Sequence, residues 1–79
     1  MVTIENIDNM NFRLDGRVYP KRYFARTISA SSDKIEIIMI DSPFGRIIPP
    51  TSYKNIKIDG IVPDSLDSAM MKLNTDLYG

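Results

Sequence analysis

The chain has no cysteine, no histidine and no tryptophan among its 79 residues. Without cysteine there is no disulfide and no thiolate ligand or nucleophile. Without histidine, the commonest neutral-pH base and metal ligand is missing, so a metal would have to be held by carboxylates and carbonyls alone. No long apolar run is present, and Val2, Ile4 and Ile7 are separated by polar residues. A membrane-spanning helix and an N-terminal signal peptide are therefore not expected. Neither sign of charge dominates: ten Lys and Arg balance ten Asp and Glu. A neutral chain lacks the electrostatic footprint of a general nucleic-acid binder.

The length fits one domain, residues 1–79, with a small core. Domains of this size commonly add a disulfide, a metal or a partner subunit. The first two have little support in this composition, which leaves docking on another chain.

Period-two patterns dominate the first three quarters of the chain. Val2–Ile7 favours an extended edge strand. Asn11–Leu14 and Arg17–Tyr19 flank Asp15-Gly16, a hairpin signal because glycine accepts positive φ. Counted straight through, the even positions Phe12, Leu14, Gly16 and Val18 form the apolar face and the odd positions Arg13, Asp15, Arg17 and Tyr19 the polar one. Pro20 ends the second arm. Arg22–Ser29 forms the next strand and residues 30–33 a turn. Lys34–Ile40 is β-branched and apolar on both faces from Ile37, which suits the middle of a sheet. One of its faces is expected to meet a helix. Residues 42–45 read as a Pro/Gly turn into Arg46–Ile48, which Pro49-Pro50 stops because neither residue has a backbone N–H. Tyr53–Ile58 alternates with Ile56 and Ile58 inward, and Asp59-Gly60 is another turn signal.

One helix closes the chain, over about 65–77. Asp64 or Ser65 supplies the N-cap, and Asp67 suits the positive end of the helix dipole. Leu66, Ala69, Met70, Leu73 and Leu77 share one face. The expected fold is α+β: a small, mainly antiparallel sheet or open barrel of five to six short strands with one C-terminal amphipathic helix.

Chemistry-bearing constellations are few. Asp59, Asp64 and Asp67 lie close in sequence but do not match a calcium-loop spacing. Glu36 and Asp41 are carboxylates with nothing to place them in one pocket. No nucleophile–base pair is visible. We therefore expect no enzyme activity, no metal and no cofactor. What does stand out is Phe12–Arg26, with five Lys and Arg against Asp15 alone, so that it carries +4 and the remainder −4. Tyr and Arg dominate interface centres, so Arg17, Tyr19, Tyr23 and Phe24, with Pro49 and Pro50 as a rigid neighbour, form the expected contact surface for another protein subunit. The alternative is a small nucleic-acid-binding domain using the basic-aromatic hairpin 12–26, whose aromatics would stack bases.

The fragments LDGRVYPKRYFAR, GRIIPPTSY and IKIDGIVPDSLDSAMMKLN, covering Leu14 to Asn74 discontinuously, resemble the small capsid- and tail-associated structural proteins of phages infecting gut Bacteroidota. The last fragment resembles their strand, D-G turn and Ser/Asp-capped helix. The resemblance implies a virion component that self-associates or docks on other subunits, and it implies no catalytic residues. Localisation would then be the virion, and otherwise the cytoplasm.

Overall fold

In the computed structural model, which describes residues 1–23, 25–31 and 33–78, alternating apolar side chains build two small sheets. The first sheet contains β1 (Val2–Asn6), β2 (Asn11–Leu14), β3 (Arg17–Pro20) and β7 (Ile56–Ile58), in the order β3-β2-β1-β7. The second is a meander of β4 (Ala25–Ser31), β5 (Lys34–Met39) and β6 (Arg46–Ser52). The helix α1 (Leu66–Tyr78) follows β7. The expected α+β class holds, with seven strands in two mainly antiparallel sheets where five or six in one curled sheet were expected. The difference arises at residues 21–23, where a single 3₁₀ turn carries the chain from the edge of one sheet into the other.

The β2–β3 hairpin forms as expected. Asp15 (φ 48°) and Gly16 (φ 84°) both adopt positive φ, the combination that a two-residue turn needs to match the strand twist. The Asp15 carboxylate accepts from the Thr3 N–H at 2.8 Å and from its hydroxyl at 3.1 Å, so the turn is pinned to β1. Register corrects the face assignment. Phe12 pairs with Tyr19, and Arg13 with Val18. Cross-strand partners share a face, so the two-residue turn reverses the parity. Tyr19 joins Phe12 and Leu14 inside, while Val18 is 50% exposed.

Two further expectations are corrected. β1 is not an edge strand: it lies between β2 and β7, and pairs parallel with β7 through Val2–Ile56 and Ile4–Ile58. Parallel partners come from distant sequence, so local pattern does not show them. Nor does Pro49-Pro50 stop β6. Ile37 pairs with Ile48 and Ile35 with Thr51, so the two prolines stand opposite Glu36 alone. A bulge on an edge strand lets the ladder continue where two N–H groups are missing.

β5 is central, as its composition required. Ile35, Ile37 and Met39 face the core; Ile38 lies half-buried on the outer face opposite Arg26 and Arg46. Glu36, on that same face, forms an ion pair with Arg46 at 3.3 Å.

Helix α1 starts where expected. Ser65 caps it, its hydroxyl accepting from the Ser68 N–H at 3.1 Å. Ala69, Leu73 and Leu77 are buried, and Leu66 and Met70 half-buried. The helix packs on β4 of the second sheet and on β1 and β7 of the first. All buried apolar residues of both sheets and the helix belong to one cluster. Leu73 is completely buried, so Leu73→Ala is expected to cost about 2–5 kcal/mol, read as a lowered urea midpoint with an unchanged m-value. An unchanged midpoint would reject this seat for the helix.

Candidate functional site

The sequence-predicted contact residues are only partly brought together. Tyr19 stacks on Phe12 with ring centres 5.7 Å apart and meets Phe44 edge-on at 5.2 Å. Tyr23 meets the same Phe44 edge-on at 5.8 Å. Phe44 comes from the β5–β6 loop, whose Ser42 hydroxyl accepts from the Phe44 N–H at 3.1 Å, and it bridges the two sheets. The Arg17 guanidinium lies over Tyr19 at 5.6 Å and that of Arg22 over Tyr23 at 5.0 Å. Tyr19 is only 7% exposed, so it serves the core and presents almost nothing to a partner. Phe24 lies outside the described residues. Pro49 and Pro50 are exposed on β6, four and five residues past Gly45, or roughly 13–17 Å along an extended strand. The loop that carries Phe44 is therefore not their neighbour.

Part of the positive charge of the hairpin is engaged. Arg13 pairs with Glu5 at 3.1 Å, and the Lys21 ammonium donates to the Asn6 side-chain oxygen at 2.7 Å. Base stacking needs bare aromatic faces. Tyr19 is buried and Arg22 covers a face of Tyr23, so the hairpin's described aromatics are committed internally.

A second region, not anticipated from sequence, forms where β7 leaves the first sheet. Asp59 (φ 50°) and Gly60 (φ 86°) make the tight turn, closed by the Ile58–Ile61 bridge. The turn sends Ile61 and Val62 outward, Ile61 being 69% exposed. Between Ile61, Val62 and Pro63 on one side and Asp64, Ser68 and Lys72 on the other lies an open groove of about 380 Å³. Ser68 and Lys72 are four residues apart on α1, so their side chains share one side of the helix, and Asp64 lies just before the Ser65 cap.

At the Lys72 end of the groove the helix is tied to the sheet. The Lys72 ammonium lies 3.3 Å from Asp59 Oδ2 and 3.6 Å from Asp76 Oδ1. Asp59 Oδ1 accepts from the Asn6 N–H at 2.8 Å, and the Asp59 N–H donates to the Ile4 carbonyl at 2.8 Å. Asp76 is 4% exposed, and its Oδ2 has no hydrogen-bond partner. Burial, reinforced by the hydrogen bond and charge of Asp59, pushes the Asp76 carboxyl up to about 6 against the pull of Lys72. For Asp59, burial pushes upward, but hydrogen bonds to Asp76, the Asn6 N–H and Lys72 outweigh it and hold the carboxyl below its ordinary value. Lys72 is raised, first by its bond to Asp59 and then by both carboxylate charges. A lysine so held is a poor nucleophile or base at neutral pH.

Asp59 is thus committed to this tie, and Asp59, Asp64 and Asp67 do not gather. Among the described residues no three His, Cys, Asp or Glu side chains are placed to hold a metal, and no helix is long and apolar enough to cross a membrane. Glu36 turns to Arg46, not to Asp41. Sequence reasoning missed Asp76, Lys72, Ile61 and Val62. One signal was available: Asp76 falls between Leu73 and Leu77, the last two residues of the apolar strip, and four residues after Lys72.

No family model, curated protein or solved structure matches the chain.

Asp76 makes stability depend on pH in a defined window. Its folded pKa lies above the unfolded value near 3.8, so its contribution is fully present below that value and is lost as pH rises through about 6. Asp8, held low by the Met10 and Asn11 N–H groups, and Asp59 act only below about pH 4, and Lys72 only above about pH 10. The melting temperature is therefore expected to fall between about pH 4 and 6, and Asp76→Asn to remove most of that slope. A flat wild-type profile over this range would contradict the burial of Asp76 with one oxygen lacking a partner.

Proposed function

We propose that the chain is a non-enzymatic assembly module that works by contact with other protein subunits. The observation that carries this reading is the groove beside α1, where Ile61 and Val62 stand exposed next to an open cleft. An exposed apolar patch rimmed by polar groups is a form that docking surfaces take. The size of the chain supports the same reading. Its core is small and the sequence has no cysteine for a disulfide, so subunit contacts would add burial that the chain alone lacks.

A virion is the setting we propose for that assembly, on the resemblance of the three fragments to small phage structural proteins. The nucleic-acid alternative is weaker, because the hairpin's described tyrosines are packed or covered and Arg13 and Lys21 already have partners.

Size-exclusion chromatography with light scattering, over a hundredfold range of concentration at moderate salt, tests the reading. Mass is expected to rise with concentration above that of one chain. A single-chain mass throughout would count against it. Steeply salt-dependent binding to single-stranded nucleic acid, with no self-association, would favour the alternative.

A further inference from the structure

We propose that the groove beside α1 receives the basic β2–β3 hairpin of a second copy of this chain, in a head-to-tail contact that can repeat. This inference rests on the assembly reading above and names the partner.

Charge is the first argument. Residues 59–76 contain four Asp and one Lys. That lysine, Lys72, is already held by Asp59 and Asp76. Asp64, in the groove wall, and Asp67, on the first turn of the helix, form no ion pair among the described residues. The groove is therefore apolar with the Asp64 carboxylate in its wall, and its complement is an apolar residue beside a cation. The hairpin supplies this. Val18 is 50% exposed and is the exposed large apolar residue of β2–β3. Arg17 precedes it, resting on the Tyr19 ring without a carboxylate partner. Arg13, directly across the ladder from Val18, is already paired with Glu5, so Arg17 is the cation that the hairpin offers. Opposite charges around an apolar contact fix register and exclude the like-charged pairing of groove with groove.

Topology is the second argument. β3 and β7 are the two outer strands of the first sheet, three strand spacings or roughly 14 Å apart. A chain's own hairpin therefore cannot fill its own groove, and both surfaces remain available on one molecule. A contact between two different surfaces is heterologous, so it grows into a ring or a filament and does not stop at a twofold dimer.

Complementary variants test the contact. V62R together with D64K blocks the groove, and R17S together with V18S removes the cation and the apolar side chain of the hairpin. All four positions are exposed, so both variants are expected to keep the wild-type circular dichroism. Each alone is expected to stay monomeric at concentrations at least tenfold above those at which the wild type assembles. Mixed in equal amounts, they should form a dimer and grow no further, because one intact groove meets one intact hairpin. Assembly of either variant alone at wild-type concentrations would overturn the head-to-tail contact while leaving the assembly reading intact; a monomeric wild type would overturn both. Because the chain lacks cysteine, V18C and V62C give an independent measurement that single conservative changes leave folded. Oxidation of their mixture is expected to join V18C chains to V62C chains several-fold more than like to like. A statistical mixture of disulfides would also overturn the proposal.

Discussion

The strip Ala69, Leu73 and Leu77 on one face of α1 is the surface against which both sheets close. A three-stranded meander and a four-stranded sheet of short strands are each marginal in water unless one face is covered. Their inner faces meet in a single apolar cluster, and the helix lies against β4 from one sheet and β1 and β7 from the other. Phe44 performs a similar service away from the helix. It packs on Tyr19 and Tyr23, so an aromatic cluster joins the β5–β6 loop to the outer strand of the first sheet. A chain without cysteine depends on such cross-layer contacts, because burial is its main source of stability.

The turns are fixed by aspartates that act twice. Asp15 and Asp59 each adopt positive φ before a glycine and return a carboxylate oxygen to a backbone N–H of β1, at Thr3 and Asn6. The turns next to β2 and β7 are thereby attached to the same central strand. Asp59 carries the attachment onward through Lys72 to Asp76 on the helix. The cost is a buried carboxylate with an unsatisfied oxygen, which is destabilising while ionised. That the tie lies at one end of the groove connects the groove's shape to the seating of the helix.

Local features of this fold were legible in the sequence. The Asp15-Gly16 hairpin, the central strand Lys34–Met39, the Ser65 cap and the apolar strip of α1 each depend on residues within a few positions of one another. What depends on register or distant partners was not. Alternation read straight through Gly16 placed Val18 inside and Tyr19 outside, because a two-residue turn shifts the inward face. The parallel pairing of β1 with β7 joins segments some fifty residues apart and leaves no local trace. The proline pair looked like a stop because the absent N–H groups are visible in sequence, whereas the bulge that accommodates them is not. Within the expected contact surface, Arg17 remains exposed and Tyr19 goes to the core because of that shift at the turn, while Pro49 and Pro50 are exposed on β6 of the other sheet. The groove was illegible because it arises from the outward turn at Ile61 and Val62, two residues that would otherwise be assigned to a core.

The groove and the fold are linked by the shared core, since the groove is formed between the turn after β7 and the helix that seals both sheets. Native-state hydrogen exchange measures that link most directly. If the two sheets and α1 form one cooperative unit, the most protected amides of β1, β5 and α1 should exchange with the same opening free energy, equal to that of global unfolding. Protection that is lost in β5 at a markedly lower free energy than in β1 would contradict a single core closed by the helix.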